Sequence, residues 1–419
     1  MLTWAEIRAS MALWLVGPAM VYVLLYIDDA ALPFPSGYGV ESGELAAHAV
    51  VVIAPVVAAA AAWAAGRHRH MEAMALASPR RRPVQVLRAT APAWILHGIL
   101  AVGAVVMARL HVGVWPSGSG WLAVAHVMVL PVGWLFIGWW AGRLLPRSIA
   151  APLVGAGCWT WMAFSHAISI PWVRHLAGFV SATSPMTDVQ RPSVYVVPWC
   201  AAAGLAAAVR VLVIPHRRAV GMTSSVLVLC AVLAGGRWTV ADWGYGLHTA
   251  PRDIALACAG QAPRVCAPPE YGPYVEELRR DSLEPIARLR AAGIPAPEEL
   301  RITSRESRIE PGVWPLYGWM PPAPHPEGTT GASTDALIGG AIAGTAARSG
   351  VTDCEMPGTP VGFWAALVIT GDDEAVRAGM LPEEWDKLRA VRQKSPAEQA
   401  RWFTDSVVSR KYCSNRGQP

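Results

Sequence analysis

Four cysteines near the C-terminal end are the residues whose type and spacing best define a chemistry: Cys258, Cys266, Cys354 and Cys413. An even number of cysteines in an exported domain predicts two disulfides. Three pairings are possible, and the short loop between Cys258 and Cys266 favours that pair, which leaves Cys354 with Cys413. Metal binding is less favoured, because the spacing is not CxxC and histidine is scarce nearby.

Three histidines, His97, His126 and His166, fall inside long apolar segments. Ionisable groups within a membrane are candidates for a pathway, a proton relay, or a metal or haem site. Neutral histidine can also simply bridge two helices by hydrogen bonds. The apolar segments contain no acidic residue, which argues against a proton-coupled carrier. We therefore predict no cofactor and no metal.

The motifs of nucleotide hydrolysis and of common hydrolases are absent from the sequence. There is no GxxxxGK[ST] loop, and no lysine precedes Lys387 to contact a phosphate. The motifs HExxH and GxSxG are also missing. The chain is therefore not expected to be an enzyme, and nothing in it predicts a nucleic-acid partner.

The elements that must position these residues are seven apolar segments in the first 240 residues. Apolar residues make up 53% of the chain and charged residues only 16%, and runs of about 20 apolar residues are typical of bilayer spans. The predicted spans are Met11–Ile27, Leu45–Ala65, Ala91–Ala108, Trp121–Ala141, Ala151–Ile170, Val196–Ile214 and Ser224–Gly236. The predicted fold is mainly α, with a transmembrane helical domain at 1–240 and a mostly helical extracellular domain at 241–419.

Loop charges predict the orientation by the positive-inside rule. With the N-terminus inside, the inner loops carry eleven arginines and the outer loops three. The inner set is Arg8, Arg67, Arg69, Arg80, Arg81, Arg82, Arg88, Arg143, Arg147, Arg217 and Arg218; the outer set is Arg109, Arg174 and Arg191. Seven spans then place the C-terminal domain outside, whereas six would place it inside. The short seventh segment, which ends at Arg237, decides between them.

The longest inner connection, Gly66–Thr90, is strongly basic and is the predicted docking segment for a cytoplasmic partner such as an ATPase. Its candidate contact residues are Arg67, Arg69, Arg80, Arg81, Arg82 and Arg88. The alternative is that these charges only set the topology and contact anionic lipid.

The C-terminal domain is expected to consist mostly of helices. The predicted helices are Tyr274–Ala292, with a kink or break at Pro285, then Thr334–Arg348 capped by Ser333 or Thr334, then Gly358–Gly371, Pro382–Arg392 and Ala397–Arg410. A capping box, Ser395 with Glu398, opens the last of them. Arg301–Pro326 is predicted to contain a strand and a proline-rich stretch.

Four stretches resemble a group of actinobacterial membrane proteins that occur as permease-like subunits of ABC transporters. They are AAWAAGRHRH (Ala61–His70), GWWAGRLLPRSIAAPL (Gly138–Leu153), PWVRHLAG (Pro171–Gly178) and CAGQAPRVCAPPEY (Cys258–Tyr271). The resemblance implies a short-loop cysteine pair that opens an extracellular domain. It provides no catalytic residue.

These observations lead to two hypotheses. The first is a permease-like membrane subunit of an ABC-type export system in the plasma membrane, with a separate cytoplasmic ATPase and either another membrane subunit or a second copy as partners in the lipid bilayer. The alternative is a membrane-anchored surface binding or sensory protein, or an accessory subunit of a larger membrane complex, without transport activity of its own.

Overall fold

The computed structural model describes residues 10–70, 82–180, 186–213, 218–246, 248–305, 307–321, 331–351 and 359–409. The chain forms two compact units. Unit 1 is Met1–Ser184 with Val189–Thr249, and unit 2 is Pro185–Asp188 with Ala250–Pro419. Two short strands, β1 (Asp188–Gln190) and β2 (Thr249–Pro251), pair with each other, and the division between the units passes through both.

In the described residues of unit 1, six helices are long and apolar enough to cross a membrane. They are α1 (Met11–Ala30), α3 (Val50–His70), α4 (Arg82–Val112), α5 (Gly120–Leu144), α8 (Ser193–Leu212) and α9 (Arg218–Val240). Three shorter helices join them: α2 (Gly39–Ala47), α6 (Arg147–Ala163) and α7 (Pro171–Ala177). The prediction of a mainly helical protein with several helices that could cross a membrane is confirmed.

Helix α6 is shorter than the span predicted at Ala151–Ile170. It has 17 residues and passes at Phe164 into a 3-10 turn that ends at Ala167. The hydroxyl of Ser165 donates to the carbonyl of Met162 at 2.8 Å within this turn. Pro171 also disfavours helical geometry at the residue before it, so the helix does not continue.

Helix α9 is longer than the span predicted at Ser224–Gly236, because it has 23 residues and ends at Val240. Arg237 lies exposed in its last turn, where a long basic side chain can reach the membrane surface. The hydroxyls of Thr223 and Thr239 bind carbonyls four residues earlier, so neither residue interrupts the helix. Ending the predicted span before Arg237 was therefore wrong.

Helix α2 occupies a stretch that the sequence analysis treated as an outer loop. All nine of its residues are buried. Glycines permit this, since a Cβ at Gly43 would lie 2.1 Å from the carbonyl oxygen of Gly120 at the start of α5. The helix carries Glu41 and Glu44 into the interior, although both residues lie outside the predicted spans.

Helix α3 is the central helix of unit 1, since 72% of the residues in its most apolar 18-residue stretch are buried. Small residues let α5 approach it closely, since a Cβ at Gly138 would lie 2.1 Å from the carbonyl oxygen of Ala58, and one at Gly142 would lie 2.2 Å from that of Ala62. Such contacts are typical of helices that pack within membranes. Helix α9 is the most exposed of the six, since only 6% of the residues in the corresponding stretch are buried.

Unit 2 combines a small sheet with helices. Strands β3 (Ala257–Ala259), β4 (Arg264–Ala267), β5 (Glu299–Arg301) and β6 (Val313–Pro315) lie side by side in that order. β3 and β4 form an antiparallel hairpin, and the other two pairs are parallel. The strands have only three or four residues, so their sequence pattern was too short to predict this sheet.

The helices of unit 2 are close to the predicted ones. They are α10 (Val275–Ala291), α11 (Gly331–Arg348), α12 (Pro360–Thr370), α13 (Asp373–Ala378), α14 (Pro382–Arg392) and α15 (Pro396–Val408). The capping box of Ser395 and Glu398 is formed. Pro285 does not break α10. The predicted caps Ser333 and Thr334 were wrong, because α11 begins before them at Gly331.

Large aromatic side chains form the core of unit 2. Trp314, Trp364 and Phe403 are fully buried. The indole of Trp364 donates to the side-chain oxygen of Gln399 at 3.0 Å, which joins α12 to α15. A Cβ at Gly344 of α11 would lie 2.2 Å from the Trp314 ring, so that helix packs directly on the indole.

Candidate functional site

The helix bundle of unit 1 has two ends of different charge. At the arginine end, Arg69 of α3 donates to the carbonyl of Arg143 of α5 at 3.2 Å, and the Arg147 guanidinium lies 5.0 Å from the Trp63 ring centroid. The opposite, carboxylate end carries Asp28, Asp29, Glu41 and Glu44.

The predicted docking segment lies at the arginine end, but it is not one long loop. Gly66–His70 continue α3 and Arg82–Thr90 begin α4, so the connection contains at most residues 71–81. Arg67 and Arg69 lie in the last turns of α3, and Arg88 lies in α4; Arg80 and Arg81 are outside the described residues, and the side chain of Arg82 is not described.

Helix α6 touches both ends of the bundle. At the arginine end it packs so closely on α3 that a Cβ at Gly66 would lie 2.6 Å from the Cβ of Arg147. At the carboxylate end, the His166 ring in the following 3-10 turn lies 5.1 Å from Phe179, and His48, just before α3, lies 6.2 Å from the same ring. Together α6 and this turn therefore extend from one end of the bundle to the other, as α3 does.

A buried polar cluster fills the carboxylate end of the bundle: Glu41, Glu44, His48, His126 and Tyr195. Their exposed fractions are between 0% and 3%. Nδ1 of His48 lies 3.1 Å from the carbonyl oxygen of Glu44, and the rings of His126 and Tyr195 are 5.3 Å apart. Glu44 is also close enough to Tyr195 to interact with it electrostatically, so the cluster joins α2 and His48 to α5 and α8.

His126 is held in one neutral form by its two partners. The indole of Trp199 can only donate, so Nδ1 of His126 accepts its hydrogen bond at 2.9 Å. Nε2 then carries the proton and donates to the carbonyl of Gly178 at 2.7 Å. Gly178 follows α7 in a left-handed conformation, where no helix partner serves its carbonyl.

His97 forms a hydrogen bond with the backbone carbonyl of Val127, which Pro131 leaves without its usual helix partner. Pro131 lies inside α5 and has no N–H, so the carbonyl of Val127 lacks its usual helix partner. Nε2 of His97 lies 2.9 Å from this oxygen. Unpaired backbone groups are costly within a membrane, and a neighbouring helix here supplies the missing donor.

His166 follows the same pattern. Its Nδ1 accepts from Nε of Arg174 at 2.7 Å, which leaves Nε2 to donate to the carbonyl of Phe179 at 3.3 Å. Each of the three predicted histidines therefore lies within hydrogen-bonding distance of a backbone carbonyl, and the carbonyls beside His126 and His166 belong to the consecutive residues Gly178 and Phe179. Within the described ranges, no three His, Cys, Asp or Glu side chains lie close enough to hold a metal ion.

Glu41 is the acidic member of the cluster with an unmet hydrogen-bonding need. Its Oε2 has no partner, and neither does the hydroxyl of Ser42 beside it. Burial raises the pKa of Glu41, and a hydrogen bond from Ser36 partly opposes that rise. The site therefore favours a protonated carboxyl. The spacing of Glu41, Glu44 and His48 (i, i+3, i+7) places them on one helix face, and this is the pattern that could have revealed the cluster.

The segment that follows α9 is attached to α7. Nε2 of His175 donates to the carbonyl of Gly244 at 2.9 Å, and the Trp243 ring stacks on His248 with centroids 4.2 Å apart. Burial and the nearby Arg174 lower the pKa of His175. Burial and the neighbouring basic groups of Arg191 and His175 lower the pKa of His248. These contacts hold the segment without adding positive charge at neutral pH.

The hairpin of unit 2 contains the predicted disulfide. Cys258 and Cys266 are opposite each other in β3 and β4 and form an S–S bond. Cys354 and Cys413 lie outside the described residues, so their pairing stays a prediction. Cys158, Cys200 and Cys230 of the apolar helices are free thiols.

Among the described residues, six apolar helices that could cross a membrane, an arginine end and a buried polar cluster are consistent with a multi-pass helical membrane protein, and a second compact unit follows them. The model of a family described only as a domain of unknown function, DUF7224, matches residues 265–413 of that unit. Neither the curated proteins nor the solved structures contain a significant match to the chain.

Proposed function

We propose that this chain is the permease-like membrane subunit of an ABC-type export system, and that a separate cytoplasmic ATPase docks on the arginine end. The observation that carries the proposal is the position of α3. This helix is buried at the centre of the bundle, carries Arg67 and Arg69 in its last turns, and begins beside His48 of the polar cluster. A displacement imposed at the arginine end would therefore reach the buried cluster through one helix.

The same proposal includes seven crossings rather than six. A helix of 17 residues spans about 26 Å and a four-residue 3-10 turn about 8 Å. Together they exceed the hydrocarbon thickness of about 30 Å. Contacts of α6 at both ends of α3 support this crossing. With the positive-inside rule, seven crossings put the N-terminus in the cytoplasm and the C-terminal unit outside, where a disulfide is stable.

Partner capture from native membranes tests the docking. The chain should retain a nucleotide-binding subunit, and the double variant Arg67→Glu/Arg69→Glu should lose it. Arg109→Glu, at the other end of α4, is the matched control and should retain it. Recovery of the unaltered chain without any nucleotide-binding partner, across several mild detergents, would contradict the proposal.

Thiol labelling tests the sidedness independently of any partner. In a background with Cys200 and Cys230 replaced by Ala, a membrane-impermeant maleimide should label Lys387→Cys in intact cells and should label Ser148→Cys only after lysis. Both positions are exposed, one in α14 and one at the arginine end. If both are labelled only after lysis, the C-terminal unit lies inside and the seven-crossing topology is wrong.

A surface binding protein is the second candidate, and a groove in unit 2 favours it. The groove encloses about 550 Å³ beside the disulfide hairpin and is lined by Pro263, Leu283, Ile286 and Arg290, among others. This volume is in the usual range for small-ligand sites. If the chain shows no transport activity and the Leu283→Arg variant abolishes binding of an extracellular ligand, this function would be favoured over export.

A further inference from the structure

Unit 1 contains an apolar cavity of about 230 Å³ that the proposed function does not use. Its walls come from α5 to α9 and consist of aliphatic and tryptophan side chains, among them Trp134, Trp161, Leu176, Ala201 and Leu233. The volume is below the roughly 300–1,000 Å³ of drug-sized ligand sites, so it suits a single slender chain. No polar side chain faces it other than the two indoles, which makes a hydrated or charged occupant unfavourable.

The cavity lies among helices long enough to span the bilayer, next to the most exposed of them. Leu229, Val232 and Leu233 of α9 line it, whereas Val226 and Leu227 of the same helix are exposed. In a membrane, lipid hydrocarbon chains therefore surround α9 and have access to the cavity.

Two arginines lie one turn beyond the cavity, towards the carboxylate end. Arg237 follows Leu233 by four residues on α9, so it lies on the same side of that helix, and among the described residues it has no hydrogen-bond or ion-pair partner. Arg174 precedes the lining residue Leu176 on α7. Its Nε and Nη1 donate to His166 and to the carbonyl of Tyr245, while Nη2 has no hydrogen-bond or ion-pair partner among the described residues.

We propose that this cavity binds one hydrocarbon chain of a lipid whose anionic phosphate head group contacts Arg237 and Arg174. The apolar walls select the chain, and the two guanidinium groups select a negative head group, because Arg pairs well with phosphate oxygens. Arg237, one turn beyond an apolar cavity, distinguishes this part of α9 from the rest of its lipid-facing surface.

Photolabelling in nanodiscs tests this with the full chain. The probes are phosphatidylglycerol and phosphatidylcholine, each with a diazirine in one acyl chain, and mass spectrometry locates the adducts. Phosphatidylglycerol should label Leu229–Leu233, and inorganic phosphate should not compete. Arg237→Gln should lower this labelling about fivefold, the size of one basic residue's attraction to anionic lipid.

The cavity itself is tested by filling it. Ala201→Trp should abolish the adducts, whereas Ala203→Trp, an exposed position two residues along the same helix, should leave them unchanged. If the Ala201 variant is not monodisperse on size exclusion, Leu233→Phe replaces it. Equal labelling by both lipids, insensitive to these variants, would show that bulk lipid merely passes the cavity. Cross-links between two copies through α9, without lipid adducts, would show that a second copy covers it; either result overturns the proposal.

Discussion

The bridge between His97 and the carbonyl of Val127 makes a quantitative prediction about how this bundle is held together. Replacement of His97 by Leu keeps most of the side-chain volume and removes the donor, so the carbonyl freed by Pro131 becomes a buried acceptor without a partner. The same carbonyl gains a donor within its own helix when Pro131 is replaced by Ala, because residue 131 then has an N–H. The two replacements should therefore be coupled.

The size of the coupling follows from the environment. A buried acceptor without a partner costs about 1–3 kcal/mol, whereas hydrogen bonds between membrane helices have measured values of about 0.6 kcal/mol on average and about 1.7 kcal/mol at most. We expect His97→Leu to lower the free energy of unfolding by about 1–2 kcal/mol in the natural background. In the Pro131→Ala background the cost should be about 1 kcal/mol smaller.

The assay is a double-mutant cycle of unfolding free energies, measured by graded SDS titration in mixed micelles. Pro55→Ala is the control, since that proline lies in α3 and frees the carbonyl of Val51, which His97 does not contact. With the control, the effects should add. An equal cost of His97→Leu with and without Pro131 would refute the assignment of His97 to the proline-freed carbonyl.

Three further predictions concern other parts of the chain. Because burial raises the pKa of Glu41, the folded state holds this proton more tightly than the unfolded state. The stability that this group contributes therefore falls as the pH rises above the ordinary glutamate pKa of 4.5. Glu41→Gln should raise the melting temperature at pH 8 and leave it unchanged at pH 4. Gly138→Ala should destabilise the bundle by a few kcal/mol, because the added Cβ would lie 2.1 Å from a backbone oxygen of α3. Gly157 has open space around it, so Gly157→Ala should be neutral or slightly stabilising in the same thermal assay. Reductant should lower the stability of unit 2 by about 2–3 kcal/mol and should have no effect on the Cys258→Ser/Cys266→Ser variant; an equal response of both proteins would mean that the hairpin bond adds no stability.

Hydropathy predicted the spans well where an apolar run is unbroken, because length and composition alone decide whether a helix can cross. It was least accurate at the ends of runs. The 3-10 turn after Ala163 and the continuation of α9 past Arg237 depend on local hydrogen bonds and on where the surface lies. The capping box at Ser395 was predictable because its two partners are three residues apart.

The buried polar cluster was only half visible in the sequence. His126 could be singled out because it stands alone in an apolar run, but its partners Trp199 and Gly178 are 73 and 52 residues away. Glu41 was assigned to a loop, because a short stretch rich in Gly and Glu has neither the length nor the hydropathy of a span. Only contact with the glycines that open α5 shows that this stretch is an interior helix.

The sequence by itself determined the multi-pass helical architecture, the charge asymmetry between the two ends and the short-loop cysteine pair, since each depends on residues that are close along the chain. The tertiary structure decided what the buried polar groups do. His97 and His126 each serve a carbonyl on another segment, and Glu41 lies in the interior. The physical reason is that a polar group within a membrane takes its role from the partner that satisfies it, and here that partner is distant in the sequence.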